Sequence, residues 1–284
     1  MADYKADFIK IPTHETNGFQ TKPVEPQKRL KDNDITIEHC TTNDAVDIAK
    51  AMYACMPERF WTKAEPPSIR DPDQSVRQRR LTARILPMLK LPNMKFIKAV
   101  HVPSGQFVGV AGWAAPGLPL CNPWRRDAVE FYGYKEMMGW NDDEVEEMWR
   151  GSSGEAWGEK LAKLDDLRRE CVGDEGHWFL APLLTLPDFQ GRGVGSKLLN
   201  WAIEQADAKE PPTPMYLESA PTARAVYMHW GFVPQGEVNF LRKGPAVVRG
   251  LEAEVGNEES KIREVDGKVE NRTHVGDASG VSVS

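Results

Sequence analysis

The residues best suited to chemistry form one glycine-rich stretch, Gln190-Gly191-Arg192-Gly193-Val194-Gly195-Ser196. It lies between an apolar run, which predicts a strand, and an amphipathic run, which predicts a helix. Consecutive backbone N–H groups in such a turn can converge on one anion, and glycine is needed where a side chain would block the approach. The N-terminus of the helix adds unpaired N–H donors and partial positive charge. The stretch therefore predicts a pyrophosphate-binding turn.

Three known kinds of phosphate-binding turn compete for this stretch. The phosphate loop of nucleoside triphosphatases needs lysine before serine or threonine, whereas the order here is Gly195-Ser196-Lys197. The dinucleotide fingerprint GxGxxG would need glycine at Ser196 and a place early in a βαβ unit, but this stretch lies two-thirds along the chain. The third pattern, Gln/Arg-x-x-Gly-x-Gly/Ala, is filled completely by Gln190, Gly193 and Gly195.

This third pattern is the signature of the GCN5-related N-acetyltransferases, and the sequence resembles that superfamily from His177 to Phe232. The flanks of the loop strengthen the resemblance. They are Leu183-Leu184-Thr185-Leu186-Pro187, which resembles the strand before the loop, Leu217-Glu218-Ser219, which resembles the next strand, and Val226-Tyr227 with Gly231-Phe232, which is similar to the helix end LYxxxGF. Within the superfamily, His177-Trp178-Phe179-Leu180 together with residues 217–221 is most similar to the puromycin-acetyltransferase-like microbial branch.

The resemblance implies both a fold and an activity. The implied fold is mixed α/β, with a central, mostly antiparallel sheet flanked by helices. The implied activity is transfer of acetyl from acetyl-CoA to an amine by direct attack in a ternary complex, and a small molecule is the favoured acceptor. Two alternatives stay open: a protein or peptide N-acetyltransferase, and a non-catalytic acyl-CoA-binding protein.

The coenzyme site follows residue by residue from the resemblance. Backbone groups of Leu183, Leu184 and Thr185 would pair with the pantetheine arm. The pyrophosphate would lie on the N–H groups of the loop, with Arg192 adding charge; the loop residues are Gln190, Gly191, Arg192, Gly193, Val194, Gly195 and Ser196. The family often has an asparagine where this chain has Ala220, so the neighbouring Ser219 would supply a hydroxyl to the arm instead.

Tyr227 is the candidate general acid, because a phenol with a reference pKa of about 10 is a neutral donor at pH 7 and can protonate the departing thiolate. The alternative is that Tyr227 only packs between helix and sheet. The general base is open. Phe179 stands where the family's usual glutamate would be, which favours the non-catalytic alternative. His177, on the same strand face, and Glu218, on the next strand, are the candidates; a water chain or an already neutral amine would need neither.

Further helices and strands must surround this site. The spacing of apolar residues and the turn residues between them predict where these helices and strands lie along the chain. They are a strand at 35–40, a helix from Thr42 or Asn43 to Met52, a helix at 73–86, a hairpin of 95–101 and 106–113, a strand at 177–186, a helix at 195–208, a strand at 215–219, a helix at 222–230 and two or three last strands within 232–255. We expect an extended leader at 1–33, an acetyltransferase domain at 34–254 and a disordered tail at 255–284.

Residues 117–175 are predicted to be a helical insertion in that domain. The segment combines many acidic residues with Trp124, Trp140, Trp149 and Trp157. Two interpretations are open: the tryptophans pack onto the sheet as core, or the insertion is a lid that faces the substrate.

The amino-acid composition disfavours some classes of binding partner. The 42 acidic residues against 36 basic ones give a net charge of −6, which argues against nucleic acid or an anionic membrane as the main partner. No apolar run approaches the length of a membrane span, and no export signal opens the sequence, so we expect a cytoplasmic protein. The spacing of its cysteines and histidines predicts neither disulfides nor a metal site; it does not predict an oligomeric state.

Overall fold

A computed structural model describes residues 28–245, and within them the chain folds around a seven-stranded sheet with helices on both faces. The strand order is β1-β2-β3-β4-β5-β7-β6, and every neighbouring pair is antiparallel except β4 with β5. The strands are β1 Ile35–His39, β2 Met94–His101, β3 Gln106–Ala114, β4 Trp178–Thr185, β5 Met215–Glu218, β6 Val233–Pro234 and β7 Asn239–Arg242. The predicted mixed α/β class with a mostly antiparallel sheet is confirmed.

The helices lie close to the predicted positions. They are α1 Ala45–Cys55, α2 Glu58–Ala64, α3 Gln74–Ile85, α4 Ala128–Phe131, α5 Tyr134–Met138, α6 Asp142–Trp149, α7 Lys160–Val172, α8 Val194–Asp207 and α9 Arg224–His229. The sequence did not predict α2, α4 or α5, because helices of four to seven residues are too short to show a 3.6-residue period. Asp73, predicted as the first residue of this helix, instead caps α3, since its carboxylate accepts the N–H of Ser75 at 2.8 Å.

One face of the sheet is covered by α8, the helix that follows the glycine-rich stretch. Its apolar side chains, among them the fully buried Leu198 and Leu199, pack on Trp113 of β3. The Trp113 indole N–H donates to the carbonyl of Leu198 at 3.4 Å. This packing fixes the start of α8, and with it the glycine-rich stretch, against the sheet.

The other face is covered by α1, α3 and much of the predicted insertion. The buried guanidinium of Arg84, on α3, lies over the rings of Trp149 and Trp157 at 4.7 and 5.0 Å. It also lies 3.6 Å from the buried carboxylate of Glu65. Burial lowers the pKa of Arg84 to about 10, so it is still charged at pH 7. Trp124, Trp149 and Trp157 are therefore part of the core, as the packing interpretation of the insertion expects.

Strands β3 and β4 approach closely because glycine stands where other side chains would collide. A Cβ atom added to Gly112 would lie 2.5 Å from the carbonyl oxygen of Ala181, and one added to Gly109 would lie 2.8 Å from that of Leu184. Real Cβ atoms essentially never come so close to backbone oxygen. The two glycines thus set the position of the second half of β4.

Both ends of the predicted domain map lie partly or wholly outside the described residues. Residues 1–27 of the expected leader and the expected tail at 255–284 are in that position, so these predictions stand untested. The described part of the leader ends in a 3-10 turn at Asp32–Asp34. Among the described residues, no helix is long and apolar enough to cross a membrane.

We predict that Gly112→Ala lowers the free energy of unfolding by about 2 kcal/mol, because a methyl group in a filled interior forces backbone to move. Urea unfolding measures it. Gly158→Ala is the matched control, since its added Cβ would meet nothing within 4 Å; it should leave stability unchanged or slightly raised. Equal midpoints for Gly112→Ala and wild type would show that β3 and β4 can separate without cost.

Candidate active site

The site begins where β4 and β5 separate. The two strands pair only from Trp178–Met215 to Leu180–Leu217. Beyond Leu180, β4 continues to Thr185 while paired with β3 on its other side. In the described residues, the edge of β4 from residue 181 to residue 185 is therefore open toward β5. An open strand edge offers main-chain donors and acceptors to an extended ligand.

The glycine-rich turn lies at the end of this open edge. Gly191 and Gly193 have φ values of 70° and 91°, which favour glycine, and α8 begins directly after Gly193. The Gln190 amide donates to the carbonyl oxygen of Thr185 at 3.0 Å and so ties the turn to the end of β4. The open edge and the helix N-terminus therefore form one continuous surface of backbone donors, suited to a ligand that ends in phosphate.

The side chains of the turn differ in their exposure to that surface. Val194 is buried in the core, so its backbone N–H is the group left for a ligand. A Cβ added to Gly195 would lie 3.7 Å from the Thr185 hydroxyl oxygen, an ordinary contact. The guanidinium of Arg192 lies over the ring of Phe189 at 5.2 Å, and it donates to the carbonyl of Asp188 at 3.4 Å. The charge that Arg192 was expected to add at the turn is thus directed onto Phe189 in this structure.

Glu218 ends β5, one residue beyond its last pairing with β4. Burial raises the pKa of this carboxyl to about 7, and the positive charge of Arg168 and the neighbouring Tyr216 hydroxyl act in the opposite direction. Glu218 keeps partial exposure, unlike Tyr216. A partly exposed carboxylate with a pKa near neutrality is suited to accept a proton from an amine.

No pattern in the sequence predicts the charges that surround Glu218. Arg168 and Asp165, both buried on α7, form an ion pair of 2.9 Å. The Arg168 guanidinium lies 3.9 Å above the ring of Phe179. Phe179, which stands where the family usually has a glutamate, therefore packs its ring against the guanidinium of Arg168. Spacing of i and i+3 on a helix is common on surfaces, so it did not mark this pair as buried.

His177 immediately precedes β4, at the end where β4 and β5 are paired. A ring nitrogen of His177 lies 2.8 Å from the carbonyl oxygen of Glu175. Burial lowers the pKa of the imidazole. Three residues lie between His177 and the first open residue, Ala181. The two are therefore four steps apart, a distance of about 13 Å along the strand. The structure thus brings Glu218, rather than His177, to the opening.

Tyr227 and Ser219, the other predicted side chains, are both buried. The Tyr227 ring contacts Phe232 and Phe240, with centroid distances of 6.0 and 6.5 Å. Burial raises the pKa of Tyr227, so the phenol is neutral at pH 7. The Ser219 hydroxyl donates to the carbonyl of Ala220 at 2.8 Å.

The insertion meets the site at the first open residue of β4. The indole N–H of Trp124 donates to the carbonyl of Ala181 at 3.1 Å. Behind Trp124, a cavity of about 10 Å³ lies among the tryptophans of the insertion. That volume holds about one water molecule, so this cavity leaves no room for an acceptor.

The described residues contain no side-chain cluster of the kind that binds metal ions. Within residues 28–245, no group of three or more His, Cys, Asp or Glu side chains is placed to hold a metal ion.

The sequence from α7 to β6 is similar to a known family of domains. Residues 161–234 match the family model of the acetyltransferase (GNAT) domain. The matched segment includes the two separating strands, the glycine-rich turn and Tyr227. This segment of the chain is therefore similar to a GNAT acetyltransferase domain. The match covers about a quarter of the chain.

Solved structures that the chain resembles include several acetyltransferases. A Corynebacterium glutamicum structure, described as histone acetyltransferase HPA2 and related acetyltransferase, is 21% identical, with 75% of this chain and 97% of that chain covered at a TM-score of 0.44. A mosquito arylalkylamine N-acetyltransferase-like protein is 15% identical, with coverage of 71% and 84% at 0.43. A Brucella melitensis GNAT acetyltransferase in complex with acetyl-CoA is 15% identical, with coverage of 74% and 89% at 0.35.

The finer assignment to the puromycin-acetyltransferase-like branch stays a prediction. Among curated proteins, none matches this chain.

The raised pKa of Glu218 predicts a specific pH dependence of stability. A carboxyl whose pKa is higher in the folded state than in the unfolded chain destabilises the fold as pH rises between the two values, here from 4.5 to about 7. Glu218→Gln removes this cost. We predict that the variant is more stable than wild type by about 3 kcal/mol at pH 8, and by less than about 1 kcal/mol at pH 5.

Urea unfolding at both pH values tests this, with the exposed Glu130→Gln as control. A Glu218→Gln effect of the same size at pH 5 and pH 8 would show that the carboxyl titrates normally.

Proposed function

We propose that this protein is an acetyl-CoA-dependent N-acetyltransferase that acetylates the amine of a small molecule. The observation that carries the proposal is the continuity between the open edge of β4 and the turn before α8. A backbone-lined cleft that ends at a helix N-terminus fits a ligand with an amide-rich arm and a terminal pyrophosphate.

The residues present fit this co-substrate. Leu183, Leu184 and Thr185 would offer their backbone groups to the pantetheine arm, since β5 does not pair with them. The N–H groups of residues 191–196 would hold the pyrophosphate, because both positive-φ glycines lie in that run. Acetyl-CoA would then supply an activated thioester near Ala181, where the strands part.

Glu218 is our proposed general base. This role is supported by the position of Glu218 at the end of β5, one residue past the last pairing with β4. It is also supported by the pKa of about 7, which leaves a substantial ionised fraction at neutral pH. Glu218 would take a proton from the acceptor amine as that amine attacks the thioester carbonyl. His177 is the weaker candidate, because it lies at the paired end of β4.

Tyr227 is our proposed general acid, which would protonate the thiolate as it leaves. Direct transfer is favoured over an acyl-cysteine route because burial raises the pKa of all four cysteine thiols, to about 11 for Cys55 and Cys121 and about 12 for Cys40. These thiols are protonated at pH 7, and the thiol form is a poor nucleophile.

A small acceptor is favoured by the insertion. Its Trp124 is hydrogen bonded to β4 at the opening, and its other tryptophans are fixed in the core. The insertion, held in this way beside the opening, limits the space in which an acceptor can bind. A peptide acceptor would need a long open groove.

The test is an acceptor screen that measures CoA release and identifies the product by mass spectrometry. The panel holds arylalkylamines, aliphatic amines, amino sugars and lysine-containing peptides. We expect an acetylated product with at least one small amine. Turnover on peptides alone would overturn the acceptor class, and CoA binding without turnover on any acceptor would favour a non-catalytic binding protein.

Tyr227→Phe tests the proposed acid. We predict a loss of about 10²-fold or more in kcat, with an unchanged Kd for acetyl-CoA and an unchanged Tm, because the ring is kept and only the donor is lost. The matched control is Tyr134→Phe, which removes another buried hydroxyl, one that has no hydrogen-bond partner. It should keep full activity. A stable Tyr227→Phe variant with native kcat would remove Tyr227 from the mechanism.

A further inference from the structure

The segment before β1 packs directly on the glycine-rich turn. The backbone N–H of Leu30 donates to the carbonyl oxygen of Arg192 at 3.1 Å. The Lys197 ammonium, in the first turn of α8, lies 3.1 Å from the carbonyl oxygen and 3.2 Å from the carboxylate of Asp32. Residues 30–32 are thus attached to both the turn and the helix.

This attachment places Arg29 across the middle of the turn. A Cβ added to Gly193 would lie 3.4 Å from both Cγ and Nε of Arg29. The Arg29 side chain is exposed, and no ion pair or hydrogen bond is found for its guanidinium among the described residues. Within residues 28–245 this cation therefore has no counter-charge, and it is held over a surface of backbone donors.

The other two cations of the turn are already engaged. Arg192 lies over Phe189, and Lys197 is paired with Asp32. Phosphate recognition in proteins usually combines backbone N–H groups with at least one cationic side chain, and arginine suits it because it can donate two parallel hydrogen bonds. Of the three cations that the structure describes at the turn, Arg29 is the one whose guanidinium is available to do so.

We propose that Arg29 is a phosphate-binding residue of the coenzyme site and pairs with the pyrophosphate held on residues 191–196. The inference rests on the proposed function, because it takes CoA as the ligand. It adds a binding residue from outside the motif, on the segment before β1 that is attached to both the turn and α8.

The test is calorimetric binding of CoA and of 3′-dephospho-CoA, two ligands that share the pyrophosphate. Arg29→Met keeps an unbranched stem over Gly193 and removes the charge. We expect it to raise the Kd of both ligands by the same factor, about tenfold or more, as for loss of a hydrogen bond to a charged group. Arg29→Lys should recover part of the affinity. Arg79→Ala, at an exposed arginine of α3, is the control and should bind both ligands like wild type.

Each other outcome overturns the assignment. Native affinity of Arg29→Met, at native Tm, would show that Arg29 does not contact the coenzyme. A loss for CoA but not for 3′-dephospho-CoA would show that Arg29 contacts the 3′-phosphate instead of the pyrophosphate. Failure of wild type to bind either ligand would contradict the proposed function itself, and so is distinguishable from failure of this inference.

Discussion

Strand β4 is hydrogen bonded to β3 over most of its length but to β5 over only three residues, and the site depends on this difference. Gly109 and Gly112 allow β3 to lie close to β4. The second half of β4 therefore stays extended although no strand of the described residues pairs with its other edge. An unpaired strand edge inside a sheet leaves polar groups that need partners. A ligand that supplies them completes the sheet.

The surroundings of the opening combine rigid packing with one group that is costly to bury. Arg84 fixes the insertion by lying between two tryptophans, and Trp124 fixes it to β4. Glu218, by contrast, is held where its charged form is disfavoured. Such a residue weakens the fold at neutral pH, which is the usual consequence of placing a reactive group in a partly buried site. The well-packed core around Glu218 offsets this loss of stability.

The sequence predicted the parts of the site that backbone chemistry dictates. The glycine pattern of 190–196 located the turn, because positive φ and close approach both require glycine there, and the alternation and period of the flanking runs located β4 and α8. It did not predict the setting of Glu218, since Arg168 and Phe179 are brought together by α7 folding onto the sheet.

Arg29 was also missed, for the same physical reason. It precedes the turn by more than 160 residues, and nothing in its own neighbourhood distinguishes it from a surface arginine. Contacts of this kind depend on chain topology, which local pattern does not encode. His177 shows the converse, since strand alternation predicts its face but does not tell how far along the strand the sheet opens.

Amide hydrogen exchange with and without CoA tests the central claim, that the open edge of β4 and the turn form one ligand surface. Peptides covering residues 181–196 should exchange markedly more slowly when CoA is bound, because backbone N–H groups without partners gain them. Peptides from β1 and β2, already paired in the sheet, should not change. Unaltered exchange across 181–196 at saturating CoA would contradict the account.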